Sequence, residues 1–173
     1  MKREMIKVRV YRFALSFILI LTLSLTLTQT LTPSWSADFK PIKPLPRDRC
    51  PVCGMFVAKY PDWLAAIVFK DGSYAVFDGV KDMMKYYHHL KKYHPSKNLK
   101  DIAFIQVNDY YRLSPIDGQK AYYVIGSNIF GPMGKELIPF EKKEDAEEFM
   151  VDHVGKGLLR FQEITLEVLK GLD

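Results

Sequence analysis

The residues best suited to chemistry stand together in "RDRCPVCGMFVAKY", residues 47–60, which holds the chain's only two cysteines, Cys50 and Cys53. Such a pair can exchange electrons, close a disulfide or hold a metal. A structural zinc site needs four nitrogen or sulfur ligands in a tetrahedron. Two of His88, His89, His94 and His153 would have to complete it, and none stands at a familiar finger spacing. A thiol–disulfide exchange protein places its Cys-x-x-Cys after a strand and at the start of a helix, whose N-terminus lowers a thiol pKa. Here the pair follows a proline-rich stretch and runs into "MFVAKY", which reads as extended. A plain stabilising disulfide suits an exported chain, although so short a loop gains little chain entropy by closing.

The remaining chemistry is soft-metal binding. Thiolate and thioether donors select Cu(I), an ion content with few ligands. An extended 53–57 points Cys53 and Met55 to one side. A third donor has to come from elsewhere, and Met133 in "GPMG" is the best candidate, because its small neighbours let a backbone approach closely. The alternative for Met133 is a hydrophobic plug in a turn. Cys50 is a further thiol, either a ligand or a disulfide partner of Cys53. Met83, Met84 and Met150 fit helix core positions, His153 falls on the apolar side of its helix as a core histidine, and His88 and His89 fall on a solvated surface.

The elements that must position these groups follow from periodicity. Strands are expected over 55–60 and 64–70, and "WLAAIVFKDGSYAVFD" shows two apolar runs joined by the Asp71-Gly72 turn. Val80, Met83, Met84, Tyr87 and Leu90 recur at helical spacing, with Asp78 as the expected N-cap and Pro95 beyond the end. "IAFIQVND" reads as a buried strand, and "YYRLSPIDGQ" as a strand and turn. The second half repeats the scheme: strand "AYYVIGSN", a Gly-rich loop into "ELIPF", a helix over "KKEDAEEFMVDHVG" closing at Gly155, then a strand and a short terminal helix. Phe77-Asp78 matches Phe140-Glu141. The expected fold is therefore α+β: duplicated ββαβ units, about 50–109 and 110–173, with helices packed on antiparallel-rich sheet.

The chain has 173 residues, 48% of them hydrophobic, enough for one domain with a real core. Most of its net charge of +5 sits in residues 1–36, where Lys2, Arg3, Lys7, Arg9 and Arg12 face only Glu4. The rest is near neutral, which gives no basis for nucleic-acid binding. The basic start, the apolar run within 13–32 and the small residues Ser34 and Ser36 read as an export signal cut after Ser36, or as a retained membrane anchor. Either places the domain outside the cytoplasmic membrane, in a periplasmic or other extracytoplasmic space. Residues 37–49, with three prolines, read as a tether to a domain spanning 50–173.

"CPVCGM", "VFDGVKDM", "VND", "YYVIGS", "GPMGKELIPF", "EDAEEF" and "LLRFQEI", in this order and spacing, resemble the NosL family over residues 48–164. The resemblance implies an extracytoplasmic Cu(I) metallochaperone rather than an enzyme. It would deliver copper for the copper–sulfur centre of nitrous oxide reductase through a membrane assembly complex. It also implies two ββαβ units related to the N-terminal region of an organomercurial lyase. The family's C-G-M matches Cys53 and Met55, and the Met of its G-x-M-G loop matches Met133. Two features depart from the pattern. Many members lack a counterpart of Cys50, and this chain has no lipid-acceptor cysteine after its apolar segment. An exported thiol–disulfide exchange protein using Cys50 and Cys53 and a copper chaperone serving other recipients stay open as alternatives.

Overall fold

The computed structural model describes residues 40–173. The apolar segment within 1–36 lies outside them, and no helix among the described residues is long and apolar enough to cross a membrane.

Among the described residues, nine strands and four α-helices make an α+β fold with antiparallel pairing throughout. The first half runs β1 (Ala65–Phe69), β2 (Tyr74–Phe77), α1 (Val80–His88), α2 (Leu90–Tyr93), β3 (Ile102–Asn108) and β4 (Pro115–Asp117). The second runs β5 (Tyr122–Ile125), the hairpin β6 (Phe130–Gly131) and β7 (Gly134–Lys135), β8 (Ile138–Phe140), α3 (Lys143–Asp152), β9 (Gly157–Arg160) and α4 (Leu166–Lys170). The sheets are ordered β2-β1-β3-β4 and β8-β5-β9. In each, the first strand of a ββαβ unit lies between the second and third, so the duplication expected from the sequence is present in the topology. β4 extends the first sheet, and the β6–β7 hairpin is inserted into the second unit.

β1 is an unbroken apolar run buried at all five residues, as befits a central strand. Its core continues through Phe77, Val80, Met83, Met84, Ile105, Val107 and Tyr123. A smaller core joins Val124, Ile138, Phe140, Ala146 and Phe149. Gln106 is buried within β3, and its side-chain amide exchanges two hydrogen bonds with the backbone of Ile42, at 2.8 and 3.3 Å.

Three local expectations are corrected. Residues 55–60 form no strand: after a single bridge from Arg49 to Phe56, the chain enters tight 3₁₀ turns at Val57–Lys59 and Pro61–Trp63. Pro61 has no amide to give a ladder and fits the first position of such a turn. The helix after Phe77 is broken at His89 into α1 and α2. At the end of α3 the left-handed residue is Val154, with φ 55°, while Gly155 donates back to the Met150 carbonyl at 2.9 Å. Glycine is required at 155 for closeness instead, since a Cβ there would lie 2.7 Å from Val124 Cγ1.

Candidate metal centre

The cysteine loop is a tight reversal. Cys50 N–H donates to the Met55 carbonyl and Gly54 N–H to the Cys50 carbonyl, both at 2.9 Å. Gly54 takes φ 81°, which a side chain would disfavour. The extended 53–57 segment expected from the sequence is therefore absent, and alternation along a strand does not set the directions of Cys53 and Met55. Arg49 clamps the loop from outside: its guanidinium lies 3.7 Å from the Phe56 ring centroid and donates to the Gly54 carbonyl at 2.9 Å.

This loop sits against the first turn of α1. Cys53 Sγ donates to Asp78 Oδ1 at 3.2 Å, and Cys50 Sγ donates to Asp82 Oδ2 at 3.4 Å. Asp78 is 1% exposed and Asp82 4%. One ligand atom from each of Cys50, Cys53, Asp78 and Asp82 lies within 4.8 Å of the others, a group able to hold a metal ion. Asp78 precedes the helix cap and Asp82 lies in the first turn, both near a helix N-terminus that favours negative charge. Asp78 is not the helix cap expected from the sequence. Gly79 occupies the N-cap without a side-chain cap bond, and Asp78 faces the thiols instead. Asp78 Oδ2 is buried with no hydrogen-bond partner among the described residues. Such an acceptor costs about 1–3 kcal/mol, which a bound cation would relieve.

Both cysteines are free thiols. Burial pushes Cys53 up to about 12, with the Asp82 and Asp78 carboxylates adding to the effect and the Met55 amide opposing it. Burial raises Cys50 further still, and Asp82 adds to it. Both therefore carry their protons at neutral pH. This is the reverse of the low pKa that makes an exchange cysteine nucleophilic.

Met55 is half-buried at the end of the loop. Met133 is 43% exposed at the tip of the β6–β7 hairpin, where Gly134 takes φ 87°. It lines an open pocket of about 340 Å³ with Lys81, Asp82, Lys85, Gly134, Lys135, Leu172 and Asp173. The fold thus brings Met133 to a cavity whose wall includes Asp82 of the thiol–carboxylate group. The histidines go elsewhere. His94 Nδ1 pairs with the Tyr86 hydroxyl at 2.9 Å, His88 Nε2 with the Ile164 carbonyl at 2.7 Å, and His153 with Asn128 while its ring packs on Phe149. Sequence reasoning missed Asp78 and Asp82 as site residues, because they look like an ordinary cap and an ordinary first-turn acid. Their only signal was that both stand at the entry to a helix that follows a cysteine loop.

Residues 41–169 match the NosL family. A copper-binding lipoprotein NosL of Stutzerimonas stutzeri is 32% identical over 131 residues, a stretch covering 71% of this chain and 65% of that protein's length, just under two thirds. The crystal structure of the copper chaperone NosL from Shewanella denitrificans superposes with a TM-score of 0.63 at 23% identity, covering 74% of this chain and 97% of that one, and bears on the fold alone. The solution structure of apo-NosL from Achromobacter cycloclastes gives 0.43 at 26% identity over 61% of this chain and 87% of its own, too low to carry an argument.

Proposed function

Because the chain belongs to the NosL family, we propose that it is an extracytoplasmic copper carrier. It takes up Cu(I) at the Cys50–Cys53 loop and passes it, through a membrane assembly complex, toward the copper–sulfur centre of nitrous oxide reductase. The observation that carries this reading is the convergence of Cys50, Cys53, Asp78 and Asp82 on one buried point. Sulfur donors from Cys50, Cys53, Met55 and Met133 match the preference of a soft monovalent ion, and Asp78 and Asp82 stand beside the thiols to relay their protons to water. Residues 1–36 act as the export signal or anchor.

The arrangement suits carrying rather than catalysis. Cys50 is fully enclosed, whereas Cys53 is half-exposed and Met133 lies on an open cavity. A partner's sulfur can therefore enter on the Cys53 and Met133 side and exchange ligands before the ion is released to water. The raised Cys53 and Cys50 pKa values speak against a thiol–disulfide exchange role.

The test is titration of the protein with Cu(I) against a competing chelator. The intact protein is expected to take one equivalent, and Cys53→Ser to lose high-affinity binding. Undiminished affinity in Cys53→Ser would remove the central ligand, and equal activity of the intact protein in insulin reduction would favour the exchange role.

A further inference from the structure

Lys81 follows the Gly79 cap and directly precedes Asp82, yet it takes no part in the thiol–carboxylate group. It is 4% exposed, an unusual place for an ammonium. Its partners all lie in the second half of the chain. Its backbone N–H donates to Glu136 Oε1 at 2.5 Å, while its Nζ donates to the Met133 carbonyl at 2.9 Å and to the Leu172 carbonyl at 3.2 Å, with Asp173 Oδ1 at 3.8 Å. Glu136 is itself 3% exposed, and its Oε1 also accepts the Leu137 N–H at 2.9 Å. Space for its carboxylate is made by two glycines. A Cβ on Gly79 would lie 2.2 Å from Glu136 Oε2, and one on Gly131 would lie 3.1 Å from Glu136 Cγ.

These contacts join two pieces of chain more than fifty residues apart. One is the turn that carries Asp78 and Asp82, and the other is the hairpin that carries Met133. The hairpin has only two-residue strands paired to each other and belongs to neither larger sheet. Pairing that short is marginal on its own. Lys81 and Glu136 therefore tie the segment that carries Met133 to the turn that carries Asp78 and Asp82.

We propose that Lys81, supported by Glu136, is a positioning residue for copper exchange, holding the Met133 hairpin at the mouth of the thiol–carboxylate centre. The role rests on the reading of Met133 as a copper donor. The matching position in the second helix is Glu144, on the surface, so the duplicated fold does not require a buried lysine there.

The experiment is a double-mutant cycle on the full chain in detergent, with Cu(I) as the probe and a competing chelator as the reference. Lys81→Leu and Met133→Ala are each expected to weaken binding by about tenfold, and the double variant by about tenfold in total rather than about a hundredfold, because both remove the same donor. Copper X-ray absorption should lose the same sulfur scatterer in both single variants, and amide exchange over residues 130–135 should speed up in Lys81→Leu. A role confined to stability would lower the melting temperature, leave the sulfur count unchanged and give additive losses, which would overturn the proposal. Lys81→Gln, with a donor on a shorter arm, takes its place in the cycle if Lys81→Leu does not fold. Wild-type affinity in Met133→Ala would strike Met133 from the copper site and remove the positioning role with it. Additive losses with Met133→Ala itself weakened would leave that site standing and remove only the role of Lys81.

Discussion

At Phe77 and Phe140 the two ββαβ units turn from strand to helix in the same register. Phe77 pairs with Ala65 at the start of β1, and Phe140 pairs with Tyr122 at the start of β5. Each helix begins three residues later, at Val80 and at Lys143. Counting from these phenylalanines, Asp78 and Asp82 correspond to Glu141 and Asp145. The acids share positions but not surroundings. Glu141 is exposed, and Asp145 lies 2.6 Å from Arg112 Nη1, which also reaches the buried Asp109 at 3.2 Å. Asp78 and Asp82 are buried beside two protonated thiols and have no ion-pair partner among the described residues. The same fold unit thus supports a structural ion pair in one copy and a buried thiol–carboxylate group in the other. The cysteine loop before β1 is what separates the two uses.

This contrast can be broken by substitutions at matched positions. The largest effect is expected at the helix entry. Gly79→Ala drives a methyl into Glu136 and should cost about 3 kcal/mol in thermal or denaturant unfolding, the upper end for overpacking. Its counterpart Lys142→Ala should stay within about 0.5 kcal/mol. Next, Asp82→Asn should weaken Cu(I) binding by about 10–100-fold in chelator competition, as for other polar groups that orient metal ligands. Asp145→Asn should leave that affinity unchanged and cost about 0.5–1 kcal/mol of stability through Arg112. Equal effects on copper from both would erase the distinction between the halves.

A smaller effect is expected from pH. Both thiols are held protonated by burial, so each thiolate formed on binding releases a proton. Affinity should therefore rise with pH through the neutral range, by about tenfold (about 1.4 kcal/mol) per pH unit for each proton displaced. A flat profile from pH 6 to 8 would mean that no thiolate forms. The smallest change belongs to Glu141→Gln. This exposed match of Asp78 should alter neither copper affinity nor, beyond about 0.5 kcal/mol, stability.

The fold was legible where hydrophobic periodicity is strong. The β1–β2 hairpin, the apolar stripe of Val80, Met83, Met84 and Leu90, and the aromatic–acid junctions all report burial directly, and burial repeats with the element. What was not legible depends on contacts between distant segments. "MFVAKY" has strand-forming residues, but beyond the single bridge from Arg49 to Phe56 it pairs with no strand among the described residues, and Pro61 and the reversal at Gly54 leave it in tight turns. The thiols of the centre stood out because cysteine is scarce in this chain. Its acids did not, because Asp near a helix start has an ordinary explanation in capping and dipole effects. Only the folded chain shows Asp78 turned away from the helix amides toward sulfur.

The thiol-to-carboxylate hydrogen bonds carry a last implication for traffic through the centre. A proton and a cuprous ion have the same valence. If one takes the other's place on Cys53 sulfur, the enclosure keeps its formal charge, and loading and unloading become isoelectric swaps. Interiors resist changes in net charge far more than changes in occupant. A centre built this way would exchange a proton for a cuprous ion at Cys53 with no change in its formal charge.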